Sequence, residues 1–121
     1  MVRKRILFID DEWLIREMMC EMLADMDYEV TAEECGKDGI RTFLRDPGAF
    51  DLVLTDLTML GMTGDTVSES IRSVRPDIPI VLLTGRPESI PRERAAAKGI
   101  CKVLGKPLTK AELREALRGV F

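Results

Sequence analysis

The stretch RILFIDDEW, residues 5–13, carries four consecutive apolar residues, Ile6 to Ile9, straight into three acids, Asp10, Asp11 and Glu12. A short continuous apolar run fits an interior strand covered on both faces, and the acids then stand where that strand leaves the core. Four further short segments follow: EVTAE (29–33), DLVLT (51–55), IVLLT (80–84) and ICKVL (100–104), with helix-like segments between them. Strands alternating with helices predict βαβ units and a parallel sheet. EVTAE alternates and ICKVL is interrupted by Lys102, so both read as edge strands, and the order 2-1-3-4-5 follows.

The first helix, EWLIREMMCEMLADM (12–26), places Leu14, Ile15, Met18, Met19, Met22, Leu23 and Met26 in a broad apolar stripe expected to pack on the sheet. A second helix is predicted over Gly36–Arg45 and a third over Asp65–Val74, with Val67, Ile71 and Val74 facing inward. The fourth is short, from about Pro91 to Lys98. The last has the clearest start: in PLTKAELREAL, Thr109 caps, Glu112 completes a capping box, and Leu108 staples to Leu113.

A chain of 121 residues supports one domain with a real core. Its composition, 45% hydrophobic and 32% charged, excludes a disordered or fibrous chain. A net charge of -3 argues against a nucleic-acid surface, which needs clustered Lys and Arg. Cys20, Cys35 and Cys101 are odd in number and far apart, so neither a disulfide framework nor a zinc site is expected. No apolar run reaches the roughly 18 residues of a membrane span, and the start MVRKRILFIDDEW lacks a leader's apolar region and cleavage site. A soluble, cytoplasmic protein with no membrane insertion is expected. The chain contains no histidine, so its chemistry must run on carboxylates, hydroxyls, lysine or a metal.

In an open parallel sheet, ligands bind beyond the carboxyl ends of the strands, where strand order reverses. For order 2-1-3-4-5 that place lies between the first strand, ending in Asp10 and Asp11, and the third, ending in Asp56. Two carboxylates about 5 Å apart repel by about 3 kcal/mol at an effective dielectric of about 20, so three converging acids call for a cation. An all-oxygen donor set suits a hard ion such as Mg2+. Taken alone, DDE also fits a helix N-cap with acids complementing the helix dipole, and Asp56 also fits a turn. Thr84 ends the fourth strand and Lys106-Pro107 follows the fifth, so all four features share one rim. Acids, a hydroxyl and an ammonium around a cation form a site for a phosphoryl group on a carboxylate.

In that arrangement FIDDE, LTDLTMLGMTG, VLLTG and GKP resemble, in order and across essentially the whole chain, the receiver domain of two-component response regulators. The resemblance implies a flavodoxin-like (βα)5 three-layer sandwich forming a single receiver domain over residues 1–121. It implies that Asp56 accepts a phosphoryl group from a phosphohistidine on a sensor histidine kinase or phosphotransfer protein, and that the domain catalyses its own phosphorylation and dephosphorylation. Mg2+ is the implied cofactor, held by Asp11 directly, Asp10 mainly through water, Asp56 itself and the backbone carbonyl of Thr58. Thr84 and Lys106 would bind the phosphoryl oxygens, and the bond before Pro107 is expected to be cis. The message would pass to a downstream protein target through the face of the fourth helix, fifth strand and fifth helix.

Three departures from the family pattern stand out. Val103 occupies the usual aromatic position three before the lysine, so the usual relay from Thr84 to that aromatic is not available. Leu60 stands where proline is common. Thr58 and Arg86, each two residues past a site residue, are expected to influence how water reaches the acyl phosphate. The competing functions are a phosphorylation-independent pseudo-receiver scaffold, an aspartyl-nucleophile phosphohydrolase and a nucleotide-binding module. The phosphohydrolase would place its two acids two residues apart after the first strand, and here they are adjacent. The nucleotide module would carry a GxGxxG or GxxxxGK[ST] loop, which is missing. A receiver excised from a hybrid kinase or a longer regulator would read the same way.

Overall fold

Ile6 to Ile9 are fully buried in β1 (Arg5–Ile9), the second strand of a five-stranded parallel sheet. The computed structural model describes residues 3–59, 61–97 and 99–121; Leu60, and Lys98 at the expected end of the fourth helix, lie outside them. The remaining elements are α1 (Trp13–Asp25), β2 (Glu29–Glu33), α2 (Gly36–Arg45), β3 (Leu52–Asp56), β4 (Thr58–Met59), β5 (Met62–Thr63), α3 (Gly64–Val74), β6 (Ile80–Thr84), α4 (Arg92–Ala97), β7 (Lys102–Gly105) and α5 (Lys110–Arg118). The main sheet runs β2-β1-β3-β6-β7, which is the expected 2-1-3-4-5 among its five strands.

Alternation along each strand divides the core into two layers. Ile6 and Phe8 face α1 and α5, meeting Met19, Leu23, Leu113 and Leu117. Leu7 and Ile9 face the opposite side, with Phe43 of α2 and Val67 and Ile71 of α3. The interior strands β1, β3 and β6 are almost wholly buried, whereas β2 and β7 at the edges are half-exposed, as their interrupted patterns predict. Both arms of the Thr109–Glu112 capping box are formed, and Leu108 packs in the same cluster as Leu113.

Several expectations shift. The third strand begins one residue later than the predicted segment and ends in Asp56, as expected. The fifth sheet strand begins at Lys102, two residues later than predicted, because Gly99 (φ +79°) turns the chain out of α4 and Ile100 plugs into the core before the ladder starts. The apolar stripe of α1 is wider than the face it buries. Leu14 is 61% and Met18 41% exposed, since Leu14 lies about 180° around the helix from the buried Leu23. Val74, expected inward, is exposed as the last residue of α3, one turn past the buried Ile71.

Candidate functional site

Register brings the separated acids together. Ile9 pairs with Thr55, so the next residues, Asp10 and Asp56, stand side by side at the carboxyl edge of β1 and β3. Asp56 pairs with Leu83 and Thr84 with Gly105, which sets Thr84 and Lys106 farther along the same rim. Asp10 and Asp56 are buried, as is Thr84. Gly64 holds the loop after Asp56 close: a Cβ there would lie 2.6 Å from the Asp56 carbonyl oxygen. Between them β4 and β5 form a two-rung antiparallel hairpin, turned at Gly61 with φ +82°, a conformation glycine adopts without penalty.

Lys106 is the hub of the site. Its Nζ lies 2.8 Å from Asp10 Oδ2, 3.1 Å from Asp56 Oδ1 and 3.7 Å from Glu12 Oε1, and its side chain is only 14% exposed. The Lys106–Pro107 bond is cis, as expected. Burial works against the ammonium, but the close contacts and negative charge of Asp10 and Asp56 outweigh it and hold the Lys106 pKa above its ordinary value. Burial pushes the Asp56 carboxyl up; the hydrogen bond and charge of Lys106 oppose this, while Asp10 and Asp11 add to it.

Carboxylate oxygens of Asp10, Asp11, Glu12 and Asp56 all lie within 4.8 Å of one another. Glu12 is the member that sequence reasoning undervalued. It occupies the N-cap position of α1 but makes no side-chain cap, and no acid stands in the first turn of that helix. The capping account of DDE therefore fails for Glu12, whose carboxylate turns back toward Lys106. Its backbone N–H instead donates to Asp10 Oδ1 at 2.9 Å.

The donor set suits a hard divalent cation. Among the described residues, four carboxylates cluster and three of them contact Lys106, every candidate ligand in the cluster is oxygen, and Asp10 Oδ2 is buried in ionic contact with Lys106 but without a hydrogen bond. The cysteines take no part: all three are free, and the Cys35 sulfur instead accepts the Asp38 N–H at the start of α2. Thr58 begins β4 two residues past Asp56, exposed and paired with Thr63. The Thr84 hydroxyl accepts the Arg86 N–H at 3.1 Å. Val103 is half-buried beside Ile90 and Ala95, along a groove of about 620 Å³ between α4 and β7.

The family profile described as "Response regulator receiver domain" matches residues 6–118. The chain belongs to the response regulator receiver domain family. Among relatives of this receiver, chemotaxis protein CheY-3 of Vibrio cholerae is 30% identical over 120 residues, covering 97% of this chain and 91% of that protein. Sensor histidine kinase RcsC of Salmonella typhi is 27% identical over 112 residues, which are 93% of this chain but 12% of the kinase, so the receiver spans only a small part of that relative. Response regulator TrrA of Thermotoga maritima, solved in complex with Mg2+ and BeF, superposes with a TM-score of 0.85, at 32% identity over 98% of this chain and 99% of that one. Among the described residues, no helix is long and apolar enough to cross a membrane.

Proposed function

We propose that this receiver is a phosphoacceptor switch in which Asp56 is the nucleophile. The observation that carries the reading is the convergence of Asp10, Asp11, Glu12 and Asp56 on one rim with Lys106 bridging the two buried acids. In the forward step an Asp56 carboxylate oxygen forms a bond to phosphorus while the bond from phosphorus to the donor imidazole nitrogen breaks. The electron pair leaves with that nitrogen, which takes up a proton. Lys106 meets the incoming phosphoryl oxygens as a point charge, and the Thr84 hydroxyl, whose oxygen already accepts the Arg86 N–H, keeps its own proton to donate. In dephosphorylation a water oxygen bonds to phosphorus while the bond to the Asp56 oxygen breaks, its electron pair restores the carboxylate, and inorganic phosphate leaves with the water proton released to solvent.

Asp11, Asp56 and the Thr58 carbonyl are the proposed direct Mg2+ ligands, with Asp10 acting through water. Bound there, Mg2+ supplies charge neutralisation and orientation for the phosphoryl oxygens. The donor is a phosphohistidine on a sensor kinase or phosphotransfer protein, which accounts for the absence of histidine from this chain. Trp13, Leu14 and Met18, exposed just past Asp11, offer that donor an apolar footing. The message leaves through α4, β7 and α5, where Val103 replaces the aromatic of the usual relay.

Incubation with acetyl phosphate and Mg2+, followed by intact mass, tests this reading. One phosphoryl adduct is expected on wild type and none on Asp56→Asn. No adduct on wild type, under conditions that label an established receiver, would favour a scaffold. An adduct that persists in Asp56→Asn would refute the assignment of the nucleophile.

A further inference from the structure

Arg16 has no part in the phosphoryl chemistry, yet its side chain is only 17% exposed on a surface helix. It also stands near the start of α1, where the helix dipole disfavours a cation. Its Nη1 donates to the backbone carbonyl of Asp10 at 2.8 Å, and its Nη2 lies 4.0 Å from Glu34 Oε2 in the β2–α2 connection. The Asp10 carbonyl lies past the last rung that β1 shares with β2 and β3, so the strand ladders do not provide its partner.

With Arg16 included, the polar groups of Asp10 are fixed in turn. Its N–H donates to the Glu33 carbonyl at 3.2 Å, its carbonyl accepts from Arg16, and its Oδ1 accepts the Glu12 N–H. The backbone is held on both sides and one carboxylate oxygen is pinned. Oδ2 is thereby aimed at the acid cluster and Lys106. Groups that support a metal ligand from behind commonly set its affinity because they remove the rotations the ligand would otherwise sample.

We propose that Arg16 is a positioning residue for the cation site, holding the Asp10 carboxylate in the orientation that completes it and coupling that orientation to Glu34. The inference rests on the reading that this receiver binds Mg2+. Two effects of Arg16 oppose each other, which makes it testable. As a positive charge near the site, Arg16 repels a cation, so its removal on electrostatic grounds alone would tighten Mg2+ binding. As a positioning group, its removal weakens binding.

Calorimetric titration with Mg2+ of wild type, Arg16→Met and Arg16→Lys separates the two. The expected result is binding weaker by about tenfold in Arg16→Met, the lower end of what loss of such a support costs, with partial recovery in Arg16→Lys, which keeps the charge and one donor. In acetyl phosphate labelling, the Mg2+ concentration for half-maximal rate rises by the same factor, while the rate at saturating Mg2+ stays within about twofold. A purely structural role would lower resistance to urea without moving Mg2+ affinity. Affinity in Arg16→Met equal to or tighter than wild type overturns the proposal while leaving the Mg2+ reading intact. Absence of binding by wild type overturns both. If Arg16→Met does not fold, Arg16→Lys carries the test, with unchanged affinity as the refuting result.

Discussion

Replacing Lys106 by methionine keeps the aliphatic stem and removes the ammonium that neutralises the buried acids. At an effective dielectric of about 20, the contacts of 2.8 Å to Asp10 and 3.1 Å to Asp56 correspond to about 5 to 6 kcal/mol of attraction each. Desolvation of the ions offsets much of this, but removing one partner leaves buried charge uncompensated, which typically costs about 3–5 kcal/mol. The lower figure, about 3 kcal/mol, already shifts the folded-to-unfolded ratio by more than about a hundredfold in a domain whose total stability is of order 5–15 kcal/mol. Urea unfolding in EDTA at pH 7 measures it.

Two further outcomes discriminate the cause. Mg2+ at a hundred times its Kd stabilises a folded protein by about 2.7 kcal/mol when it does not bind the unfolded chain. At a fixed Mg2+ concentration the gain is expected to be larger for Lys106→Met than for wild type, because the ammonium no longer competes for the same oxygens. The folded-state pKa of Lys106 is raised, so its contribution is complete below its ordinary value of 10.5 and is lost as alkaline pH passes the raised value. Wild type therefore loses this stability at high pH and the variant has none of it to lose. A loss under about 1 kcal/mol in EDTA, or equal Mg2+ stabilisation of both proteins, refutes the reasoning.

Asp56→Asn is expected to be more stable than wild type without Mg2+ at pH 7. The raised folded-state pKa means that wild type loses stability as pH rises above the ordinary carboxylate value of 3.8, and the gap closes in acid; urea titration at several pH values reads it. Gly64→Ala forces a Cβ against the Asp56 carbonyl oxygen and, at 3.0 Å, the Leu57 Cα, so a cost of about 1–3 kcal/mol and slower acetyl phosphate labelling are expected; labelling at the wild-type rate would contradict this. Thr109→Ala removes the capping box of α5 and is expected to cost about 1 kcal/mol by urea unfolding without altering Mg2+ affinity. Trp13, the only tryptophan, stands two residues past Asp11, and its fluorescence is expected to change on Mg2+ addition; a flat signal despite calorimetric binding would count against that placement.

The legible part of this protein is the part encoded by period and punctuation. Continuous apolar runs marked β1 and β6 as interior strands, interruptions marked β2 and β7 as edges, and Thr109 with Glu112 marked the start of α5. Acids ending two strands that flank the switch point were enough to bring Asp10, Asp11 and Asp56 together, because the order of a parallel sheet fixes which strand ends are neighbours. Less legible was how wide a face each helix buries. Periodicity shows that residues share a side, whereas Leu14, Met18 and Val74 are exposed because the sheet beneath α1 and α3 covers only part of that side.

What the sequence by itself determined is the residue inventory of the rim and the strand order that assembles it. Only the tertiary structure decided the directions of the side chains. Glu12 abandons its cap for the acid cluster, Lys106 bridges two buried acids, and Arg16 reaches back to the Asp10 carbonyl. The Lys106 contacts join segments brought together by register and packing, with no short stretch of the chain containing both halves, whereas Arg16 and Asp10 share residues 10–16 and meet through the path the chain takes from β1 into α1.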